Sequence, residues 1–181
     1  MNNKVVAVCI LVLFFGSGAA VVAAEKPVPN FTLAPATGAG AKPFRLADAK
    51  GHYVALHFLL KTECPFCLRH THEYSSKAEE MPNVVQVFIK PDTMEEIQKW
   101  VADLPKNDRS PEPIYQDPGA ILADRLNLPG DYKFHGETMH YPALVLINPE
   151  GKEVFRYVGK SNTDRYPLAK LKEKVAQLAR Q

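Results

Sequence analysis

Short apolar runs separate amphipathic segments along most of the chain. The runs at 53–60 (YVALHFLL) and 84–89 (VVQVFI) are nearly continuous, a pattern typical of strands that are buried on both faces of a sheet. A third run at 143–147 precedes an Asn-Pro-Glu-Gly turn and a returning strand at 152–157. Three shorter strands are predicted at 31–33, 44–46 and 114–116.

The segments between these runs have the periodicity and the end signals of helices. Helices are predicted at 68–81, 93–104, 119–126 and 166–180, and residues 128–140 are predicted as a loop. The second helix begins with a Thr-Met-Glu-Glu capping box. Because strands and helices alternate, we predict an α/β fold with helices on both sides of a central sheet, in which the strands at 54 and 84 are parallel neighbours.

The first 24 residues have the layout of a secretory signal peptide. Lys4 is followed by an apolar run at 5–15 and then by a stretch rich in small residues, and no acidic residue occurs before Glu25. We therefore predict cleavage after Ala24, a periplasmic or secreted location, and one domain at 25–181. The alternative is an uncleaved membrane anchor, since the apolar stretch is close to the length that spans a bilayer.

The composition suits one globular domain. Hydrophobic residues make up 46% of the 181-residue chain, and the formal net charge is only +2. Basic and acidic residues are interspersed, without the basic stripe that nucleic-acid binding requires, so this class of function is excluded. After signal cleavage we expect a monomeric protein with no membrane span.

The motif Cys64-Pro65-Phe66-Cys67 lies where a buried strand gives way to a helix. Unpaired N–H groups and the helix dipole stabilise a thiolate at that position, and the thiolate is the attacking species in disulfide exchange. We expect Cys64 to be the nucleophile and Cys67, one turn further on, to be the resolving and more buried thiol. Pro65 suits an early helical position, where an N–H would have no partner in any case.

Three segments carry a family resemblance. They are the strand and CxxC motif at 53–67, the strand and helix at 114–128 (IYQDPGAILADRLNL), and the strand and hairpin at 141–160 (YPALVLINPEGKEVFRYVGK). From about residue 27 onward, the chain resembles the thioredoxin-like superfamily, in its redoxin branch (the AhpC/TSA and TlpA/ResA-like group). The resemblance implies a thioredoxin-like fold, a central mixed sheet flanked by helices, with a redoxin-type strand–helix insertion.

The resemblance also implies an activity and a surface for the partner. It identifies the chain as a thiol-disulfide oxidoreductase that exchanges disulfides with protein partners, receives or passes electrons through a further donor protein, and needs no cofactor. Tyr141 and Pro142 are implied to form a cis peptide that faces the cysteines and binds the partner's extended chain. Pro65 and Phe66 are expected to contact the partner as well.

Two departures from the family pattern leave the direction of electron flow open. Phe58 stands where thioredoxins often have a buried acid, and Glu63 replaces the aromatic that usually precedes the first cysteine. A negative Glu63 opposes a thiolate at Cys64, whereas the nearby Lys61 favours it.

Two metal-binding alternatives are open at this point. Sco-type copper proteins share this fold and bind copper with two cysteines and one histidine, and His140 lies nine residues before the turn proline, as their histidine does. Cys64, Cys67 and His140 are therefore a candidate copper set, although the Sco spacing is CxxxC rather than CxxC. A structural zinc site would combine the two cysteines with His70 and His72.

A peroxiredoxin-like thiol peroxidase is the remaining alternative, because redoxins include peroxiredoxins. That activity needs a Pro-x-x-x-Thr-x-x-Cys pocket and an arginine beside the peroxide. Thr62 lies two residues before Cys64 rather than three, and Pro142 aligns with the arginine position of that family. Both departures favour disulfide exchange over peroxide reduction.

Overall fold

The computed structural model describes residues 25–38, 40–61, 64–103 and 113–180. The predicted signal segment 1–24 lies outside these residues, as do Thr62 and Glu63. The strands are β1 (Lys26–Pro27), β2 (Thr32–Pro35), β3 (Phe44–Arg45), β4 (Tyr53–Phe58), β5 (Val84–Lys90), β6 (Ile114–Gln116), β7 (Tyr132–Phe134), β8 (Glu137–Met139), β9 (Ala143–Ile147) and β10 (Lys152–Val158). The α-helices are α1 (Pro65–Ser76), α2 (Met94–Asp103), α3 (Ile121–Arg125) and α4 (Leu168–Leu178). None of these helices combines the length and the apolar character that crossing a membrane requires.

Eight strands form one mixed sheet in the order β1-β10-β9-β4-β5-β6-β2-β3. β5 is parallel to both of its neighbours, β4 and β6, and Val54 lies opposite Val85. β9 is antiparallel to β4 and to β10. The predicted parallel pair is therefore confirmed and forms the centre of the sheet. All six residues of β4 are buried, which explains why its sequence is apolar without alternation.

Each face of the sheet has its own hydrophobic core. In one core, Tyr74 of α1, Ile97 of α2 and Leu171 of α4 cluster with strand residues such as Ala55. In the other core, Leu122 of α3 clusters with the opposite face of the same strands. Helices thus cover both faces, and β6 with α3 forms the inserted strand and helix. The predicted thioredoxin-like α/β fold is confirmed.

The segment predicted as a loop at 128–140 contains a small hairpin. β7 pairs antiparallel with β8, and Tyr132 lies opposite Met139. His135 and Gly136 form the turn with positive φ angles of 49° and 83°. This geometry matches the right-handed twist of the two strands, and glycine adopts it readily. Each strand is only three residues long, too short for an alternating pattern to emerge from the sequence.

Helix ends also differ from the prediction where proline is involved. α1 begins at Pro65 rather than at 68, because Cys64 is already its N-cap residue. The last helix begins at Leu168 rather than at 166, with Pro167 in an extended conformation at the N-cap. The predicted capping box is confirmed: Glu96 accepts the backbone N–H of Thr93, and the Thr93 hydroxyl accepts that of Glu96.

Candidate functional site

The two cysteines lie at the first turn of α1, directly beyond the buried strand β4. The Sγ of Cys64 accepts the backbone N–H of Cys67 at 3.2 Å. Pro65 occupies the first helical position, as predicted, and its side chain is exposed. Both cysteines are free thiols in this structure, and both side chains are 0% exposed. Neither thiol is accessible to solvent, and Cys67 lies deeper in the protein than Cys64, as predicted.

One arginine contacts both thiols. Nη2 of Arg165 donates to Sγ of Cys67 at 3.2 Å and to Sγ of Cys64 at 3.6 Å. Nη1 of the same group donates to the carbonyl oxygens of Ser161 and Asp164. The guanidinium is thereby held between the two sulfurs and residues 161–167, the segment before α4. Arg165 covers the thiol pair and places a positive charge on it.

A second cation, Lys90, lies on the interior side of the pair. It ends β5 and is 0% exposed, with Nζ donating to the carbonyl oxygen of Leu60 at 3.0 Å and lying 4.4 Å from the centre of the Trp100 ring. Its charge acts on Cys67. The backbone N–H of Leu60 also donates to Sγ of Cys67, at 3.3 Å. Cys67 is thus surrounded by donors and positive charge.

These surroundings change the pKa values of the two thiols in opposite directions. Burial alone would raise the pKa of Cys67, but the hydrogen bond from Cys64 and the charges of Lys90 and Arg165 outweigh it and lower this pKa to about 6. The hydrogen bond with Cys67, followed by burial, raises the pKa of Cys64. The pair therefore gives up one proton readily and retains the second.

A cavity of about 190 Å³ lies beside the covered thiols. Its walls come from α1 and from the segment before α4, and they include Phe66, Arg69, His70, Glu73, Arg165 and Tyr166. Arg165 belongs both to the cavity wall and to the contacts of the sulfurs. Phe66, predicted to contact a partner, is half-buried on this wall, and the guanidinium of Arg69 lies over its ring at 5.1 Å.

A buried chain of hydrogen bonds links Gln86 of β5, His57 of β4 and His70 of α1. Nε2 of His57 lies 2.8 Å from Oε1 of Gln86, and Nδ1 of His57 lies 2.9 Å from Nε2 of His70. Burial lowers the pKa of His57 to about 4 and also places the pKa of His70 well below its ordinary value. Both rings are consequently neutral at pH 7, and His70 brings no positive charge to the cavity.

Tyr141 and Pro142 lie at the start of β9, but their peptide bond is trans. The described residues contain no cis peptide bond, so the expected cis form is wrong. The trans form is intrinsically favoured by about 0.5–1 kcal/mol. In the flanking peptides, the Tyr141 N–H donates to the Pro129 carbonyl, and the Pro142 carbonyl accepts the N–H of Gly159. The Tyr141 ring packs 5.0 Å from that of Tyr132.

The structure does not bring the candidate copper ligands together. His140 is buried, with Nδ1 lying 2.8 Å from the Tyr141 carbonyl oxygen and its ring against Phe58. Within the described ranges, no group of three or more His, Cys, Asp or Glu side chains is placed to hold a metal ion. The set of Cys64, Cys67 and His140 is therefore not assembled, and neither is the zinc alternative with His70 and His72.

Three residues of the site were not identified from the sequence. Arg165 lies in the segment SNTDRYP, whose composition predicts only a surface loop. Lys90 does carry a signal, since a lysine ends an apolar run that is paired with the strand leading to the cysteines. His57 is a polar residue in the middle of the buried strand β4, and a buried polar side chain needs a hydrogen-bond partner.

Comparisons with known proteins identify a family and similar folds. The sequence model of the AhpC/TSA family matches residues 24–154. No curated protein sequence matches the chain significantly.

Three solved structures illustrate the fold similarity. The mitochondrial 2-Cys peroxiredoxin from Plasmodium falciparum is 15% identical with a TM-score of 0.70, covering 85% of this chain and 92% of its own. A protein assigned as a disulfide isomerase from Bacteroides thetaiotaomicron is 18% identical with a TM-score of 0.61, covering 89% and 92%. A protein assigned as thiol:disulfide interchange protein DsbE from Chlorobium tepidum is 20% identical with a TM-score of 0.59, covering 86% and 95%.

The family match extends over more than half of the chain and includes the strand, the CxxC motif and the inserted strand and helix. The predicted oxidoreductase class is confirmed with it. The chain belongs to the AhpC/TSA family of thioredoxin-like redoxins and is an oxidoreductase.

Proposed function

We propose that this chain is an exported thiol-disulfide oxidoreductase whose Cys64 and Cys67 exchange disulfides with protein partners. One observation carries the proposal: the two cysteines share the first turn of α1 beneath a single arginine that contacts both sulfurs. A thiol and a thiolate held side by side is the arrangement from which disulfide exchange begins.

The proposed exchange proceeds in two displacements. As Cys64 attacks one sulfur of the partner's disulfide, the Cys67 thiolate takes the Cys64 proton, and the partner's S–S bond breaks to release one thiolate. Cys67 then gives up this proton and displaces the second partner sulfur from the mixed disulfide. The protein ends with a Cys64–Cys67 disulfide, and the partner, which has gained two electrons, the one proton of the pair and a second proton from solvent, leaves as a dithiol. The reverse sequence oxidises a dithiol partner.

Trapping of the mixed disulfide tests this proposal. The chain has three cysteines, so a Cys9→Ser background leaves Cys64 and Cys67 as the reacting thiols. In that background, Cys67→Ser is expected to accumulate disulfide-linked adducts through Cys64, and Cys64→Ser to accumulate far fewer. The double substitution is the matched control. If neither single variant forms more adduct than the double variant, the exchange proposal is wrong.

The exported location has its own test, because it rests on the sequence of residues 1–24. The full chain, expressed in a bacterium and separated into cytoplasmic, membrane and periplasmic fractions, is expected in the periplasm with Glu25 as its first residue. Recovery of an uncleaved chain in the membrane fraction would instead support the anchor alternative.

A peroxidase is the second candidate, and one contact favours it. The sequence places Pro142 where the family arginine would align, but the structure brings Arg165 to the sulfurs from another segment. Peroxide consumption coupled to a thiol reductant tests this candidate. A rate above that of an unrelated CxxC protein, lost in Cys64→Ser, would support it, and an equal rate would remove it.

A further inference from the structure

The proposed exchange requires the covering arginine to move. Cys64 and Cys67 are both 0% exposed, and Arg165 is the side chain that contacts both sulfurs and also lines the adjoining cavity. A disulfide can reach the sulfurs through this cavity when the guanidinium swings away from them. We therefore consider which chemical group of a substrate could draw the guanidinium away.

The charges around the cavity indicate what that property is. Among the described residues, neither Arg165 nor Arg69 pairs with a carboxylate within 4.0 Å. The Nε atom of Arg165 is buried and has no hydrogen-bond partner there. Glu73 is the acidic residue on the cavity wall, and it lies four residues after Arg69 on α1. Two guanidinium groups thus share the cavity wall with one carboxylate, and His70 is neutral. The carboxylate of Asp164, which also acts on Arg165, is not part of this wall and accepts from Tyr157 and from the backbone N–H of Lys160.

The hydrogen bonds of Arg165 leave its Nε–H without an acceptor among the described residues. The present acceptors of Arg165 are two sulfurs and two backbone carbonyl oxygens. A carboxylate can accept two N–H groups of the guanidinium at once, Nε–H among them, in a bidentate pair that the sulfurs, both contacted by Nη2 alone, do not form. A carboxylate entering the cavity can therefore compete for Arg165, whereas a neutral group cannot.

Resting on the proposed function, we infer that the cavity between α1 and the segment before α4 is a substrate subsite for disulfides that carry a carboxylate a few bonds from the sulfur. The carboxylate binds Arg69 and Arg165, and its binding uncovers Cys64 and Cys67 for attack. Phe66 and Tyr166 provide apolar contact for the short carbon chain between carboxylate and sulfur. The volume of about 190 Å³ suits a small disulfide or one side chain of a polypeptide.

The reaction is the exchange already described, with the disulfide as the oxidant. The protein's thiol and thiolate lose two electrons and one proton, and one Cys64–Cys67 bond forms. One substrate S–S bond breaks and, with a second proton from solvent, two carboxylate-bearing thiols are released. The carboxylate itself takes no part in the bond changes. It determines which disulfides react quickly.

A series of small disulfides that differ in charge tests the inference. The reduced full chain in the Cys9→Ser background is mixed with 3,3′-dithiodipropionate (anionic), bis(2-hydroxyethyl) disulfide (neutral) or cystamine (cationic). Each rate is divided by the rate of the same disulfide with dithiothreitol, which removes differences in intrinsic reactivity. The anionic disulfide is expected to react about tenfold faster than the neutral one on this scale, and cystamine more slowly than both.

Substitutions then assign the preference to the cavity. Arg69→Gln and Arg165→Gln are each expected to reduce the anionic-to-neutral ratio several-fold, and Glu73→Gln to increase it. Because the ratio is taken within one variant, any change in thiolate fraction cancels. Arg125→Gln, on the exposed side of α3, removes the same charge elsewhere and should leave the ratio unchanged. Circular dichroism verifies that each variant is folded.

A second series distinguishes the source of the carboxylate. Two cysteine-peptide disulfides with Glu or Gln beside the cysteine show whether a polypeptide can deliver it as well as a small molecule. A preference for the carboxylate member in either series, lost in Arg69→Gln, supports the inference. Equal normalised rates in both series would overturn it while leaving the proposed exchange intact, and no reaction with any disulfide would instead contradict the exchange itself.

Discussion

The guanidinium of Arg165 lies 3.2 Å from Sγ of Cys67, although 98 residues separate the two along the chain. This contact stabilises the thiolate and therefore the reduced form of the protein. Stabilising the reduced form raises the reduction potential and makes the disulfide a stronger oxidant. The sequence leaves the direction of electron flow open, and this contact shifts the balance toward oxidation of partners.

Replacing Arg165 by Gln is expected to weaken that stabilisation. A hydrogen bond to a charged group contributes about 1.5–3 kcal/mol, so the pKa of Cys67 should rise by about 1–2 units and the reduction potential should fall by about 30–60 mV. The pH dependence of iodoacetamide alkylation measures the pKa, and equilibration with glutathione measures the potential. Arg125→Gln is the charge-matched control. An alkylation profile that is unchanged in Arg165→Gln would show that the contact does not govern the thiolate.

Lys90 provides a second test from the opposite side of the pair. Lys90→Met keeps the length of the buried side chain but removes its charge, so the pKa of Cys67 is expected to rise. The Leu60 carbonyl also loses its donor, and unfolding should require about 1–3 kcal/mol less free energy. Alkylation profiles and urea denaturation measure the two effects. Lys50→Met, at an exposed position, should alter neither. Loss of stability with no change in thiol pKa would limit Lys90 to a structural role.

The buried histidines predict a specific loss of stability in acid. His57 takes up a proton near pH 6.5 in the unfolded chain but only near pH 4 in the folded protein, so between these values the unfolded state binds more protons. Stability should therefore decrease as the pH falls from 6.5 to 4, with a contribution from His57 on the order of 3 kcal/mol. Urea denaturation at several pH values measures this slope. His57→Gln should flatten it, and the exposed His52→Gln should not; equal slopes in both variants would contradict this assignment.

Gly159 holds the arginine-bearing segment close to the sheet. A Cβ atom at this position would lie 2.2 Å from the Asp164 carbonyl oxygen and 3.2 Å from Cγ of Pro142. Gly159→Ala must therefore displace the segment that carries Arg165, at a cost of about 1–3 kcal/mol in stability. The pKa of Cys67 should rise with this displacement. Gly130→Ala, where a Cβ meets nothing within 4 Å, is the matched control. A variant as stable as the control would show that the segment adapts freely.

Much of the fold could be predicted because its signals are local. The continuous apolar run of β4 indicates a strand buried on both faces, and the Thr93–Glu96 capping box fixes the start of α2. The position of the CxxC motif at a helix start follows in the same way, because a strand ends and a helix begins around it.

The features that the sequence did not predict depend on contacts between residues that are far apart along the chain. Arg165 reaches Cys67 only because α4 packs on the same face of the sheet as α1, and no local pattern marks that arginine. The charges that act on the thiols are long-range in the same way, since the helix start favours a thiolate at Cys64 whereas Lys90 and Arg165 lower the pKa of Cys67. His140 matches a copper ligand in sequence position, yet folding turns it toward Tyr141.

Reversible formation of the Cys64–Cys67 disulfide is the most direct test of the central claim. The Cys9→Ser chain is equilibrated in a series of reduced and oxidised glutathione mixtures, quenched by alkylation and mapped by mass spectrometry. The account predicts one reversible two-electron transition, with the disulfide located between Cys64 and Cys67. Thiols that remain reduced across the whole series, or that oxidise only irreversibly, would contradict it.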